Sequence, residues 1–144
     1  MKKSAIVTSV GAALLLLASS NSSAGDLSRQ EPIVVEVELG TGEGKNRFTP
    51  DNFEFQAGKL YKIVIKNNSE KKHYFSSQKF AASSWTRKVE DGGMEIKGQI
   101  REIEVKPGGE AAWFVVPVAA GTFDLECTEG KMAAEGMVGK IVVK

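Results

Sequence analysis

One cysteine and one histidine stand in a chain of 144 residues. A single cysteine excludes a disulfide within the chain. A single histidine excludes the two- or three-imidazole sets that hold most zinc ions. It also weakens any case for hydrolysis, because His73 has no convincing acidic partner and no Ser-His-Asp arrangement stands out. No residue is assigned a catalytic role, and the chain reads as a non-enzyme. A charge excess of either sign is missing too, with 19 Lys and Arg against 18 Asp and Glu. That balance offers no basic surface for nucleic acid and no polybasic patch for a membrane.

The one long hydrophobic run lies near the start. Lys2 and Lys3 precede an apolar stretch from Ala5 to Ala18, and Ser22-Ser23-Ala24 follow. This is the order of an export signal with a small-residue cleavage site. The stretch is short for a membrane-spanning helix, and no basic stop-transfer patch follows it. Residues 1–24 are therefore expected to be a cleaved signal, with no cysteine near the cleavage point to carry a lipid. Residues 25–144 form one expected domain, free of the membrane after cleavage. Loss of Lys2 and Lys3 leaves 17 basic residues against 18 acidic ones, a net charge of −1. Export sharpens the question of Cys127, which is buried and inert, paired with another chain, or occupied by a metal.

Alternation and turn residues outline the domain. Ile33 to Leu39 sets Val35, Val37 and Leu39 against Glu36 and Glu38. Gly40 to Asn46 reads as a loop. Asn52 to Gln56, with Phe53 and Phe55 on one side, and Leu60 to Lys66 read as strands, and His73-Tyr74-Phe75 as extended chain. Within Gln78 to Asp91, Ala81, Ala82, Trp85 and Val89 suggest a short helix stopped by Asp91-Gly92-Gly93. Ile100 to Val105, Ala111 to Val118, Thr122 to Cys127 and Gly136 to Val143 complete the strands. Pro117 argues for an edge or strand-end position. Seven to eight short strands with little helix predict an all-β fold, a Greek-key β-sandwich.

A soft transition metal takes thiolate, imidazole and thioether ligands. The chain offers Cys127, His73, Met132 and Met137. His73 follows one strand and Cys127 closes another, so a sandwich can bring both to one end. Each has a plainer account: a surface or packing histidine, a buried cysteine, and methionines filling core gaps. Trp85 and Trp113 read as packing residues that are also able to line a site.

Four stretches, FTPDNFEFQAGKLYKIVIKN (48–67), His73, IEVKPGGE (103–110) and AGTFDLECTEGKMAAEGMVGKIVV (120–143), together resemble the cupredoxins, the small blue-copper proteins. The resemblance spans nearly all of residues 25–144. It implies one copper ion at the end of the sandwich, bound by an early histidine and by a loop bearing a cysteine, a second histidine and usually a methionine. His73 matches the first histidine, Cys127 the thiolate and Met137 the axial thioether. The second histidine matches nothing. Met132 takes its place when counting back from Gly136-Met137, and Lys131 when reading on from Gly130.

Blue copper uses two imidazoles and one thiolate in a plane, with a long axial bond. Met132 in place of one imidazole gives one nitrogen and three sulfurs, a set that favours Cu(I) and raises the reduction potential. Lys131 must first lose a proton whose reference pKa is about 10.4. Glu129, Glu135 or a water are further candidates. Three functions follow from the resemblance. One is a periplasmic copper-binding protein that carries or buffers copper or passes electrons, meeting a redox or copper-trafficking protein at the metal end. The second is an accessory domain of a periplasmic metal uptake or oxidation system. The third is a copper-free scaffold acting as a binding module. Met132, Ala133 and Ala134 are candidates for an apolar docking patch, or for packing beneath the loop.

Overall fold

The computed structural model describes residues 26–40 and 46–144. The expected export signal, 1–24, and most of the loop expected over Gly40 to Asn46 lie outside them. Among the described residues no helix is long and apolar enough to cross a membrane.

Period-2 patterning builds most of the strands. In β1 (Ile33–Leu39), Val37 and Leu39 turn inward while Glu36 and Glu38 face solvent. After the short β2 (Phe48–Thr49), β3 (Asn52–Phe55) buries Phe53 and Phe55. β4 (Tyr61–Asn67) buries Ile63 and Ile65, and β5 (His73–Ser76) begins at the histidine. One helical turn, α1 (Gln78–Ala82), leads into β6 (Ser84–Asp91) and β7 (Met94–Ile96). β8 (Glu102–Val105) buries Ile103 and Val105 and exposes its glutamates. β9 (Glu110–Pro117) is buried from Ala111 onward, as a strand covered on both faces must be. β10 (Gly121–Glu126) and β11 (Val138–Val143) close the chain.

These strands form two sheets, ordered β2-β1-β4-β9-β6-β7 and β3-β11-β10-β5-β8. The pairs β1 with β4 and β3 with β11 are parallel, and the others antiparallel. The expected all-β sandwich is present, with more strands than the seven to eight read from the sequence. The additional ones are β2, β6 and β7.

Residues 78–91 differ most from expectation. The helix stops at Ala82, and Trp85 and Val89 lie on β6, where Val89 pairs with Trp113 and Trp85 with Val116 of β9. Trp85, Thr86 and Val89 are good strand formers, and a central partner strand outweighs a weak helical spacing. Asp91-Gly92-Gly93 is then a hairpin turn, not a helix stop. Gly92 and Gly93 both take positive φ, 52° and 92°, between the paired Asp91 and Met94. A two-residue hairpin turn of this kind demands that conformation. Pro117 does sit at a strand end, but β9 is flanked by β4 and β6 and is no edge. Its missing N–H costs the ladder nothing at the last position.

Aromatic rings fill the space between the sheets. Phe80, carried in by α1, lies 5.7 Å from Trp113 and 5.8 Å from both Phe55 and Phe123, centroid to centroid. Trp113 is buried and its Nε1 donates to Thr86 Oγ1 at 3.1 Å, whereas Trp85 is partly exposed. Neither tryptophan belongs to the donor cluster described below. Phe80→Ala removes a fully buried ring and is expected to cost about 3–5 kcal/mol. Urea unfolding of the metal-free protein measures it.

Candidate metal centre

The pairing of β5 with β10 decides the site. Ser76 lies opposite Glu126, so the start of β5 comes alongside the residues that follow β10. His73 begins β5, opposite Val105 of β8, and Cys127 immediately follows β10. The two residues are 54 apart in sequence, yet Nδ1 of His73 lies 3.7 Å from Cys127 Sγ. Both side chains are buried. The backbone N–H of Tyr74 also donates to Cys127 Sγ, at 3.3 Å. A hydrogen bond to sulfur stabilises negative charge there, which suits a thiolate.

The loop between β10 and β11 folds back so that the backbone of Met137 lies against Cys127 and that of Met132 against Met137. Cys127 N–H donates to the Met137 carbonyl at 3.1 Å, and Met137 N–H donates to the Met132 carbonyl at 2.9 Å. Met132 N–H in turn donates to the Glu129 carbonyl at 3.0 Å. Three backbone bonds thus tie Cys127, Met132 and Met137 into one compact loop. All three side chains are buried and belong to the main core cluster, with Phe48 and Phe75.

The other candidates point elsewhere. Lys131 and Glu135 are exposed, and Asn46 Nδ2 contacts Glu135 at 3.5 Å. Glu129 is ion-paired with Lys72 at 3.2 Å. Among the described residues no three His, Cys, Asp or Glu side chains are grouped to hold a metal, so a carboxylate does not join His73 and Cys127. Of the apolar residues proposed for a docking patch, Met132 is packed inward, Ala133 is half-buried and only Ala134 is exposed.

Surface side chains brace the start of this loop. Thr128 Oγ1 donates to Glu102 at 2.9 Å, and Lys72 reaches both Glu129 and Glu104. The Tyr74 hydroxyl donates to Glu104. Hydrogen bonding to Glu129 leads the causes that raise the Lys72 pKa, and hydrogen bonding to Tyr74 leads those that lower Glu104. Exposed pairs like these add little stability, but they link the loop to β5 and β8.

Sequence reading missed Asn67. It is fully buried at the end of β4, where Nδ2 donates to the carbonyls of Lys71 and Val105, at 2.7 and 2.8 Å. Its Oδ1 accepts from the backbone N–H and the hydroxyl of Ser69. Asn67 therefore shapes the turn that delivers His73. An Asn-Asn-Ser sequence between strands signals a turn, though not that one amide is its buried hub.

The donor set suits a soft first-row metal. Bonds of about 2.0–2.1 Å to an imidazole nitrogen and 2.3 Å to a thiolate, as zinc makes, put the two donors roughly 3.5–3.8 Å apart at angles near tetrahedral or trigonal. The His73–Cys127 separation of 3.7 Å lies in this range, and it is equally that of a thiol–imidazole hydrogen bond. Thiolate, thioether and imidazole donors suit soft and borderline metals, copper and zinc among them, better than hard cations.

Burial, followed by the nearby charge of Lys71, pushes the His73 pKa below its ordinary 6.5, while Glu129 acts in the opposite sense. The unfolded chain therefore takes up this proton first as pH falls. The resulting stability is complete above the ordinary value and is lost on acidification towards the folded pKa. Between about pH 7.5 and 5.5, the metal-free protein is expected to lose more stability than His73→Gln. Urea midpoints at the two pH values check this, and equal losses would contradict it.

Comparison with known proteins agrees with the fold. The cupredoxin-like domain family matches residues 7–143. Chloroplastic plastocyanin of Fritillaria agrestis is 29% identical over 141 residues, covering 98% of this chain and 75% of that protein. Dithionite-reduced auracyanin of Roseiflexus castenholzii superposes with a TM-score of 0.53 at 17% identity, over 77% of this chain and 96% of that one. The McoA multicopper oxidase of Aquifex aeolicus gives 0.64 at 17% identity, over 78% of this chain. This chain spans only 29% of that oxidase and 31% of the Campylobacter jejuni multicopper oxidase. At such identities the solved structures speak for the fold alone. The family match extends over nearly the whole sequence, and the chain belongs to the cupredoxin-like domain family.

Proposed function

We propose that this protein binds one copper ion through His73, Cys127, Met132 and Met137, and that it is a copper carrier or electron-transfer protein, not an enzyme. The observation that carries this reading is the buried 3.7 Å approach of His73 Nδ1 to Cys127 Sγ, beside a loop that buries two thioethers. Bound copper would supply a one-electron couple, held towards Cu(I) by three sulfurs and one nitrogen. The chain's own residues do the rest. His73 presents one imidazole, the Tyr74 N–H steadies the sulfur, and Met132 and Met137 exclude water from the donors.

Burial favours a retained ion over a delivered one. His73 and Met137 are 0% exposed, Cys127 1% and Met132 8%. Releasing copper from such donors requires the Cys127–Met137 loop to open, whereas exchanging an electron with a protein partner does not. Electron transfer is therefore the use the geometry supports best, with copper carriage as the second. An exported, periplasmic setting after removal of residues 1–24 fits a lone cysteine kept from disulfide chemistry by a metal. An accessory role in a periplasmic metal uptake or oxidation system, read from the family resemblance, is the alternative partner setting. A copper-free binding module is disfavoured by the buried approach of His73 to Cys127, beside a loop that also buries Met132 and Met137.

Copper titration of the reduced, metal-free protein in both oxidation states tests the reading. A stoichiometric Cu(I) complex with a weak or unstable Cu(II)–thiolate band is expected, and absence of uptake in either state would refute it. Cys127→Ser is expected to lose Cu(I) affinity by far more than Met132→Ala. In Met132→His the restored second imidazole is expected to produce a strong thiolate-to-Cu(II) absorption band. Unchanged spectra in that variant would show that position 132 does not face the metal.

A further inference from the structure

Behind the His73 ring, the structure holds a feature that the donor set does not account for. Nε2 is buried and has no hydrogen-bond partner among the described residues. A metal-binding histidine is ordinarily oriented by a hydrogen bond from its second ring nitrogen, and none of the described residues supplies one to Nε2 of this ring. What meets Nε2 is the bare backbone of Gly40, just after β1. A Cβ built on Gly40 would lie 2.4 Å from His73 Nε2, and 2.7 Å from both Cβ and Oγ of Ser69. No real Cβ tolerates such contacts.

Both walls of this contact are fixed. Gly40 has φ +65°, a conformation that glycine takes without penalty. Its N–H donates to the Arg47 carbonyl at 2.9 Å, which anchors it in place. Ser69 is held by the Asn67 amide, to which its hydroxyl donates at 2.7 Å. Neither side can retreat without breaking a hydrogen bond. The ring on the other side has Cys127 Sγ at 3.7 Å from Nδ1, so a push from Gly40 would shift the donor atom.

We propose that Gly40 is the positioning residue for His73: close contact between its backbone and the Nε2 edge, in place of a hydrogen bond, sets the imidazole and aims Nδ1 at Cys127. The consequence for copper rests on the reading above, whereas the contact itself does not. Nδ1 needs its lone pair for a metal, which puts the ring proton on Nε2, facing Gly40. A side chain at position 40 would then act on metal affinity through His73 without touching the metal.

The test pairs Gly40→Ala with Gly58→Ala. Gly58 has a similar φ of +79° but, among the described residues, nothing within 4 Å of an added Cβ, so it carries the backbone strain without the contact. His73 is the only histidine, so its ring resonances are unambiguous in 1H–15N spectra. In the metal-free protein, Gly40→Ala is expected to displace them and Gly58→Ala to leave them in place. Cu(I) affinity of Gly40→Ala is expected to fall roughly 10- to 100-fold below that of Gly58→Ala, the range seen when a ligand's support is removed. Equal ring spectra and equal affinities in the two variants would overturn the proposal.

A double-mutant cycle covers the case in which Gly40→Ala folds poorly. The stability cost of Gly40→Ala is expected to be smaller in a His73→Ala background, where the ring is gone. An undiminished cost, or failure of ring removal to restore folding, would show that Ser69 or the backbone sets the glycine requirement and would overturn the proposal. If the parent takes up no copper, the copper reading fails alone, and the metal-free ring spectra still judge the role of Gly40.

Discussion

The site depends on one long-range registration, that of β5 against β10. It brings His73 within 3.7 Å of a cysteine 54 residues away, inside a closed core. Burying an imidazole in such a core is costly for any ring nitrogen left without a partner. Here one nitrogen faces sulfur, and the other abuts Gly40 with no hydrogen-bond partner among the described residues. The surrounding features hold the ring in that place. Asn67 fixes the turn entering β5, the Tyr74 N–H is directed to the sulfur, and the loop after Cys127 folds back through Met132 and Met137.

The chemistry of the centre follows from what the loop does not contain. A second imidazole would stabilise Cu(II) in a trigonal plane, and this chain has no second histidine to supply it. Between the two residues nearest the vacant place in the pattern, burial distinguishes clearly: Met132 lies in the core and Lys131 in solvent. A charged amine would have to be both dehydrated and deprotonated to serve, whereas a thioether is at home in an apolar core. The same packing thus favours Met132 over Lys131 as the proposed fourth donor.

Much of this was legible in the sequence because it depends on local pattern. Phe53 and Phe55, Val37 and Leu39, and Ile103 and Val105 all turn inward as alternation requires. The solitude of Cys127 and its place at a strand end pointed to the loop that now holds it. Residues 84–96 were not legible in the same way. Trp85 and Val89 carry a spacing compatible with a helix, and only the ladder to β9 decides for strand. Asn67 and Gly40 were missed for a related reason. A buried amide hub and a glycine pressed against a ring are properties of chain segments that meet across the fold, and neither leaves a periodic trace.

Copper K-edge X-ray absorption on the Cu(I)-loaded protein tests the central claim most directly, because it counts the donor atoms themselves. The account predicts a first shell dominated by sulfur, with one imidazole nitrogen, and loss of sulfur scattering in Met132→Ala. A shell of nitrogen and oxygen without sulfur, or one unaltered by removing Met132, would contradict it.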